Sequence, residues 1–229
     1  KIKAETIDNA VRNILKLKFR LGLFENPYVD ESLARQVAYA PEHLAAAKQS
    51  AVESAILLQN NNDVLPLKSA KRILVTGPMA DAPYDQLGTW AFDGEEAYTV
   101  TPLTALRKDY EVVYEPALAY SRDASTAGIP AAVAAARGVD AVVAFVGEEA
   151  ILSGEAHSLS QINLQGAQSE LIKALKATGK PIVVVVIAGR NLTIERDLEN
   201  CDAMLYSFHP GTMGGEALAD LITGRAVPS

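Results

Sequence analysis

The sequence predicts a three-layer α/β/α domain built on an open, mainly parallel sheet and preceded by a helical connecting segment. Three observations carry this. From Lys71 onward, short apolar runs alternate with segments of helical period, in the order β-α-β-α-β-α-β-α-β-α. The central runs, 141–146 and 182–187, are valine-rich and apolar at every position, as strands buried on both faces must be. Hydrophobic residues make up 49% of the 229, enough to fill one large core.

The elements follow in order. Residues 6–21 place Ile7, Ala10, Val11, Ile14, Leu15 and Leu21 at helical spacing, with Gly22 set to cap the end. Asn26-Pro27-Tyr28 breaks that pattern, and 29–40 reads as a linker of weak helical character. With no strand nearby, the first helix is expected to pack on a neighbouring body of protein. This divides the chain into a linking segment, 1–40, and an α/β sandwich, 41–229. Pro41 suits a first helical turn, and the helix it opens is expected to run to about Gln59. Asn60 to Asp63 forces a turn, and Leu65-Pro66-Leu67 is extended. Five strands are expected, at 72–76, 111–114, 141–146, 182–187 and 203–207, with a further strand anticipated beyond the C-terminus. Helices are expected at 102–108, 129–137, 166–178, 192–200 and 214–223.

Charge and composition exclude several functions. Net charge is −7 with no clustered basic face, so no nucleic-acid partner is expected. The longest apolar run, 182–188, is too short to cross a bilayer as a helix, so no membrane role is expected. Cys201 stands alone and can form no internal disulfide, which leaves the compartment unread. Lys1-Ile2-Lys3 lacks a starting methionine, and 225–229 ends without a closing element, so flanking protein is expected on both sides.

In a parallel sheet the loops after the strands share one rim, and ligands bind there. These loops are 77–98, 147–165, 189–191 and 208–215. The second carries Glu148, Glu149, Glu155 and His157. A glutamate held in such a rim beside apolar Ile151 and Leu152 can be pushed toward donating a proton near neutrality. Solvated loop charges are the plainer alternative for each of them. Trp90, the only tryptophan, lies in the first loop, where its face could stack on a sugar ring or fill core volume. Gly77-Pro78-Met79-Ala80-Asp81 lacks the G-x-G-x-x-G spacing, and Pro78 removes an N–H that a phosphate cradle would use. Of His43, His157 and His209 only His157 has several carboxylates nearby, at a spacing that matches no standard metal set. A G-x-S-x-G nucleophile elbow is missing too. Neither a metal nor an organic cofactor is expected.

An ordered set of segments then resembles glycoside hydrolase family 3, in its bacterial β-glucosidase type. They are 46–60 (AAKQSAVESAILLQN), 64–67 (VLPL), 77–81 (GPMAD), 87–90 (LGTW) and 101–106 (TPLTAL). They continue with 153–156 (SGEA), 179–181 (GKP), 189–190 (GR) and 210–215 (PGTMGG). Residues 9–28 are similar to the helix and linker that join the family's two domains. The resemblance implies retaining hydrolysis of terminal β-D-glucosides by two carboxylates on two domains. An aspartate nucleophile would lie on a preceding (β/α)8 barrel that is absent from this chain. The position matching the family's general acid/base is Glu155, in Ser153-Gly154-Glu155-Ala156, with Glu148 and Glu149 read as supporting or structural. Retaining enzymes hold their two carboxyls about 5–5.5 Å apart. Many relatives carry an Asp-Arg pair after the glutamate, whereas this chain has His157-Ser158, which changes the acid's local partners. Trp90 matches an aromatic on the leaving-group side, and His157 would join it in binding substrate. The implied partners are a β-glucoside or oligosaccharide and the protein's own barrel, with a homodimer left open. Alone, the chain is expected to be inactive. The family favours periplasm or secretion. A β-xylosidase or β-glucan exohydrolase, or a non-catalytic sugar-binding or interface domain, are the alternatives.

Overall fold

Residues 2–229 are described by a computed structural model, and Lys1 lies outside them. The chain divides into two compact units, one ending at His43 and the other Leu44–Ser229.

In the first unit, α1 (Ala4–Arg20) has Glu5 in its first turn and Lys18 and Arg20 in its last, as the helix dipole favours. Gly22 follows in the left-handed region (φ +67°). None of the residues of α1 is buried, and Ile7, Val11 and Ile14 are exposed along its apolar side. A short helix, α2 (Ser32–Val37), occupies the expected linker. Asp30 Oδ1 accepts from both the backbone N–H and the hydroxyl of Ser32 (2.9 and 2.7 Å), which starts it.

The helix opened by Pro41, α3 (Pro41–Ser54), stops five residues short of the expected Gln59. A strand, β1 (Ile56–Asn60), takes the remainder and pairs antiparallel with β6 (Ala203–Tyr206), from Ile56↔Tyr206 to Asn60↔Ala203. Its apolar residues continue the pattern of α3, but the open edge of β6 offers unpaired backbone groups, and satisfying them outweighs helix extension. Leu57 turns toward the core while Ile56 and Leu58 face out, the alternation of a strand. The sheet therefore has six strands, and its sixth comes from before the alternating region.

The other strands are β2 (Arg72–Thr76), β3 (Glu111–Glu115), β4 (Ala141–Gly147) and β5 (Ile182–Ile187), all parallel to their neighbours and to β6. The order is β1-β6-β5-β4-β2-β3. This is a doubly wound arrangement whose winding reverses between β2 and β4, which makes the carboxyl ends of those two strands the crevice. One face of the sheet, with Val143, Phe145, Val185 and Leu205, packs against α3, α5 (Pro102–Leu106) and α9 (Gly214–Thr223). The opposite face, with Leu74, Val142, Val146 and Val184, packs against α6 (Ile129–Ala136) and α7 (Gln168–Lys176). Every residue of β4 and β5 is buried. These are the three layers expected. The helix expected at 192–200 shrinks to α8 (Glu195–Leu198), because Thr193 donates its N–H to Ile162 O (2.6 Å) and is drawn into a bridge with the loop after β4.

Candidate active site

The loop after β4 begins at Gly147, at φ +143°, where a Cβ would sit 1.7 Å from Ile187 O. Glycine alone allows the chain to turn there. Gln168, on α7, holds the turn by accepting from Gly147 N–H (2.8 Å) and donating to Gly147 O (2.9 Å).

The three glutamates of this loop part company at once. Glu148 turns inward and is fully buried, with Oε2 3.1 Å from Arg190 Nε. Its Oε1 has no hydrogen-bond partner among the described residues. Burial pushes this carboxyl up from its ordinary value, against the pull of the Arg190 guanidinium. Glu149 accepts from Ser121 Oγ (2.6 Å) and from Arg122 Nε and Nη2 (3.2 and 3.3 Å). Partial burial works against its charge, but Arg122 and Ser121 together hold it below the usual range. Both carboxylates are thus committed to arginines.

Residues 150–152 form a single 3₁₀ turn, then Ser153 is buried and Gly154 takes φ +102°. This segment is stitched to the loop after β2. Thr89 Oγ1 donates to Ala150 O (2.6 Å) and lies 2.8 Å from Ser153 Oγ. Asp85, on α4 (Pro83–Leu87), accepts from Ala150 N–H (2.8 Å), and burial raises its carboxyl despite that bond. Gln86 donates to Val100 O (2.9 Å) and Gly211 O (2.8 Å), which ties the loop after β6 to the same assembly.

Glu155 stands at the tip of this pinned segment. It is exposed, and no hydrogen bond or ion pair from the described residues reaches its carboxylate. His157 is exposed beside it, with Nδ1 2.9 Å from the Glu155 carbonyl oxygen. Trp90 is 61% exposed and meets Phe92 edge to face, with ring centroids 6.0 Å apart. Its indole borders Gly154, where a Cβ would lie 3.6 Å from Trp90 Cζ2 and 2.3 Å from Thr89 Cγ2. Trp90 therefore fills no core volume. The structure brings Trp90, Glu155 and His157 to one rim, at the crevice beside β2 and β4.

Sequence analysis weighed His209 only as a metal ligand and met Arg190 only within the 189–190 pair, and gave neither a role in the site. His209 is wedged among rim loops, since a Cβ on Gly88 would meet its Nδ1 at 2.6 Å and one on Gly189 its Cε1 at 2.8 Å. Its Nε2 is buried without a partner among the described residues, and burial lowers its basicity. The only signal was the pair of glycines that make room for it. Among the described residues, no group of His, Cys, Asp and Glu is arranged to hold a metal, and no helix is long and apolar enough to cross a membrane.

Residues 55–229 match the glycosyl hydrolase family 3 C-terminal domain. A periplasmic β-glucosidase from Salmonella typhimurium is 34% identical over 257 aligned positions, covering 100% of this chain and 34% of that protein. A β-xylosidase from Formosa agariphila is also 34% identical, over 97% of this chain and 32% of its own length. Among solved structures, a β-glucosidase from Listeria innocua superposes with a TM-score of 0.90 at 36% identity, covering 100% of this chain and 32% of that one. One from Erythrobacter marinus superposes with a TM-score of 0.81 at 32% identity, covering 92% and 32%. The chain spans about a third of the length of the curated relatives it matches. It belongs to glycosyl hydrolase family 3, of which residues 55–229 are the C-terminal domain.

Proposed function

We propose that this chain supplies the general acid/base of a retaining β-glucosidase, with Glu155 as the proton-transfer group. The observation that carries the reading is the contrast among the glutamates of one loop. Glu148 and Glu149 are each taken up by an arginine. Glu155, at the crevice, has no such partner, so its carboxyl is left to exchange a proton with substrate and water.

In this reading residues 1–40 link the sandwich to a preceding barrel, whose aspartate attacks the anomeric carbon. Glu155 gives its proton to the glycosidic oxygen as the C–O bond breaks, and the alcohol leaves. The Glu155 carboxylate then takes a proton from water as that water displaces the aspartate, so configuration is retained. The exposed indole of Trp90 stacks on the leaving group, and His157 offers a nitrogen to its hydroxyls. A β-glucoside is the favoured substrate, supported by the Salmonella and Listeria relatives. The Formosa relative supports a β-xyloside as the second reading, and rates on matched aryl glucosides and xylosides separate the two. The Salmonella enzyme's description also supports a periplasmic location, which cell fractionation tests.

The test of the main reading is Glu155→Gln in the protein that joins this chain to its barrel. Hydrolysis of glucosides with poor leaving groups should fall by about 10²–10⁴-fold, the usual contribution of a positioned acid. Substrates whose leaving group needs no proton should lose far less in the bond-breaking step. An unchanged rate on a poor leaving group would remove Glu155 from the chemistry.

A further inference from the structure

The loop that carries Glu155 is tied on two sides. Thr89 and Asp85 grip it from the loop after β2, as described above. The other tie comes from the loop after β5, through Arg190. Its guanidinium is anchored at Nε by Glu148 Oε2, 3.1 Å away, on a carboxylate that is fully buried. Its terminal Nη2 donates to Leu152 O, three residues before Glu155. Its backbone is fixed in turn, because Tyr206 on β6 donates its hydroxyl to Arg190 O (2.5 Å) and accepts from Leu192 N–H (3.1 Å).

We propose that Arg190 is a positioning residue that sets the Glu155 loop against the sheet, a role that rests on the reading of Glu155 as the acid/base. Neutralising Glu148 explains one of its contacts and leaves the other unexplained. A guanidinium presents several N–H donors in a rigid planar fork, so it can hold a carboxylate and a carbonyl at fixed separation. A lysine ammonium in the same place keeps the charge but lacks that geometry. Gly154 lies just beyond the anchored segment at φ +102°, and Glu155 takes its place from what precedes it. A shift of about 1 Å in a reacting group costs on the order of 10²-fold in rate.

The experiment compares Arg190→Met, Arg190→Lys and Glu155→Gln in the protein joined to its barrel. Each is assayed on a 2,4-dinitrophenyl glucoside, which needs no proton to depart, and on an alkyl glucoside, which does. Arg190→Met should lose on the order of 10²-fold in kcat/KM on the alkyl substrate and only a few-fold on the dinitrophenyl one. Arg190→Lys should fall between Arg190→Met and the native protein with the same selectivity. It decides the matter should thermal melting show that Arg190→Met does not fold, since the cation against Glu148 is kept. An equal loss on both substrates, as poor folding or weak sugar binding would give, overturns the proposal. So does a native ratio in both Arg190 variants while Glu155→Gln is selective. If Glu155→Gln itself shows no selectivity, it is the acid/base reading that fails.

Discussion

Replacing Gly189 with alanine places a methyl group where the loops after β4, β5 and β6 touch. Gly189 does not sit at positive φ, so the cost is steric and not conformational. The new Cβ would lie 2.0 Å from Ser153 Oγ, where ordinary contact begins at 3.4 Å, so the hydroxyl must retreat by 1.4 Å. Ser153 cannot swing aside freely, because its Oγ is held 2.8 Å from Thr89 Oγ1 and its Cβ would itself stand 2.7 Å from the methyl. His209 closes the third side, with Cε1 at 2.8 Å. Overpacking of this kind costs about 1–3 kcal/mol, and losing the Thr89–Ser153 bond adds about 1 kcal/mol. In a protein of this size each kcal/mol lowers Tm by roughly 2–4 °C. The displacement also lands two residues from Glu155, so in the protein joined to its barrel turnover of a poor-leaving-group glucoside should fall by on the order of 10²-fold. Calorimetry or a dye melt reads the first effect and steady-state kinetics the second. Adding Ser153→Gly removes two of the three colliding atoms, leaving His209 Cε1, and should return part of the lost stability, which a double-mutant cycle measures. Gly189→Ala with native Tm and native turnover would refute the contact argument. A large drop in Tm with unchanged turnover would show that the loop does not transmit the displacement.

Two other expectations are independent of that contact. Burial holds His209 below its ordinary pKa of 6.5, so the folded protein keeps it neutral while the unfolded chain protonates it. Its contribution to stability is complete above 6.5 and is lost as pH falls from there toward the depressed folded value; Tm should therefore drop as pH falls below 6.5, with a shallower slope in His209→Asn. Equal slopes in the two proteins would show that His209 is not the group responsible. In the protein joined to its barrel, Trp90→Ala removes the exposed indole face and should raise KM for a disaccharide several-fold, with Tm within about 1 °C because no core volume is lost; a Tm collapse instead would assign the ring to packing.

The architecture was legible where one principle spoke alone. Strands β4 and β5 are apolar at every position, and the structure buries all of their residues. The helix expected at 102–108 forms as α5 (Pro102–Leu106), and Thr101 Oγ1 caps it by accepting from Thr104 N–H (3.3 Å). Strand β1 was not legible, because Ile56-Leu57-Leu58 continues the helical pattern of α3 and its pairing partner lies nearly 150 residues away. The site divides in the same manner. That acidic and aromatic residues gather on one rim follows from the alternation of strands and helices alone. Which of Glu148, Glu149 and Glu155 stays unpaired depends on Arg190 and Arg122, and no local pattern reports those partners. The Thr89–Ser153 contact spans 64 residues, and His209 enters through space left by Gly88 and Gly189. Such details are tertiary, and only the folded chain displays them.

The most direct test of the central claim is the product formed by Glu155→Ala, joined to its barrel, on a 2,4-dinitrophenyl β-glucoside in azide. Azide needs no general base, so it should attack the accumulated glucosyl-enzyme, displace the aspartate carboxylate, restore turnover and yield β-glucosyl azide. An α-glucosyl azide, or turnover that matches the native protein without azide, would contradict the assignment of proton transfer to this loop.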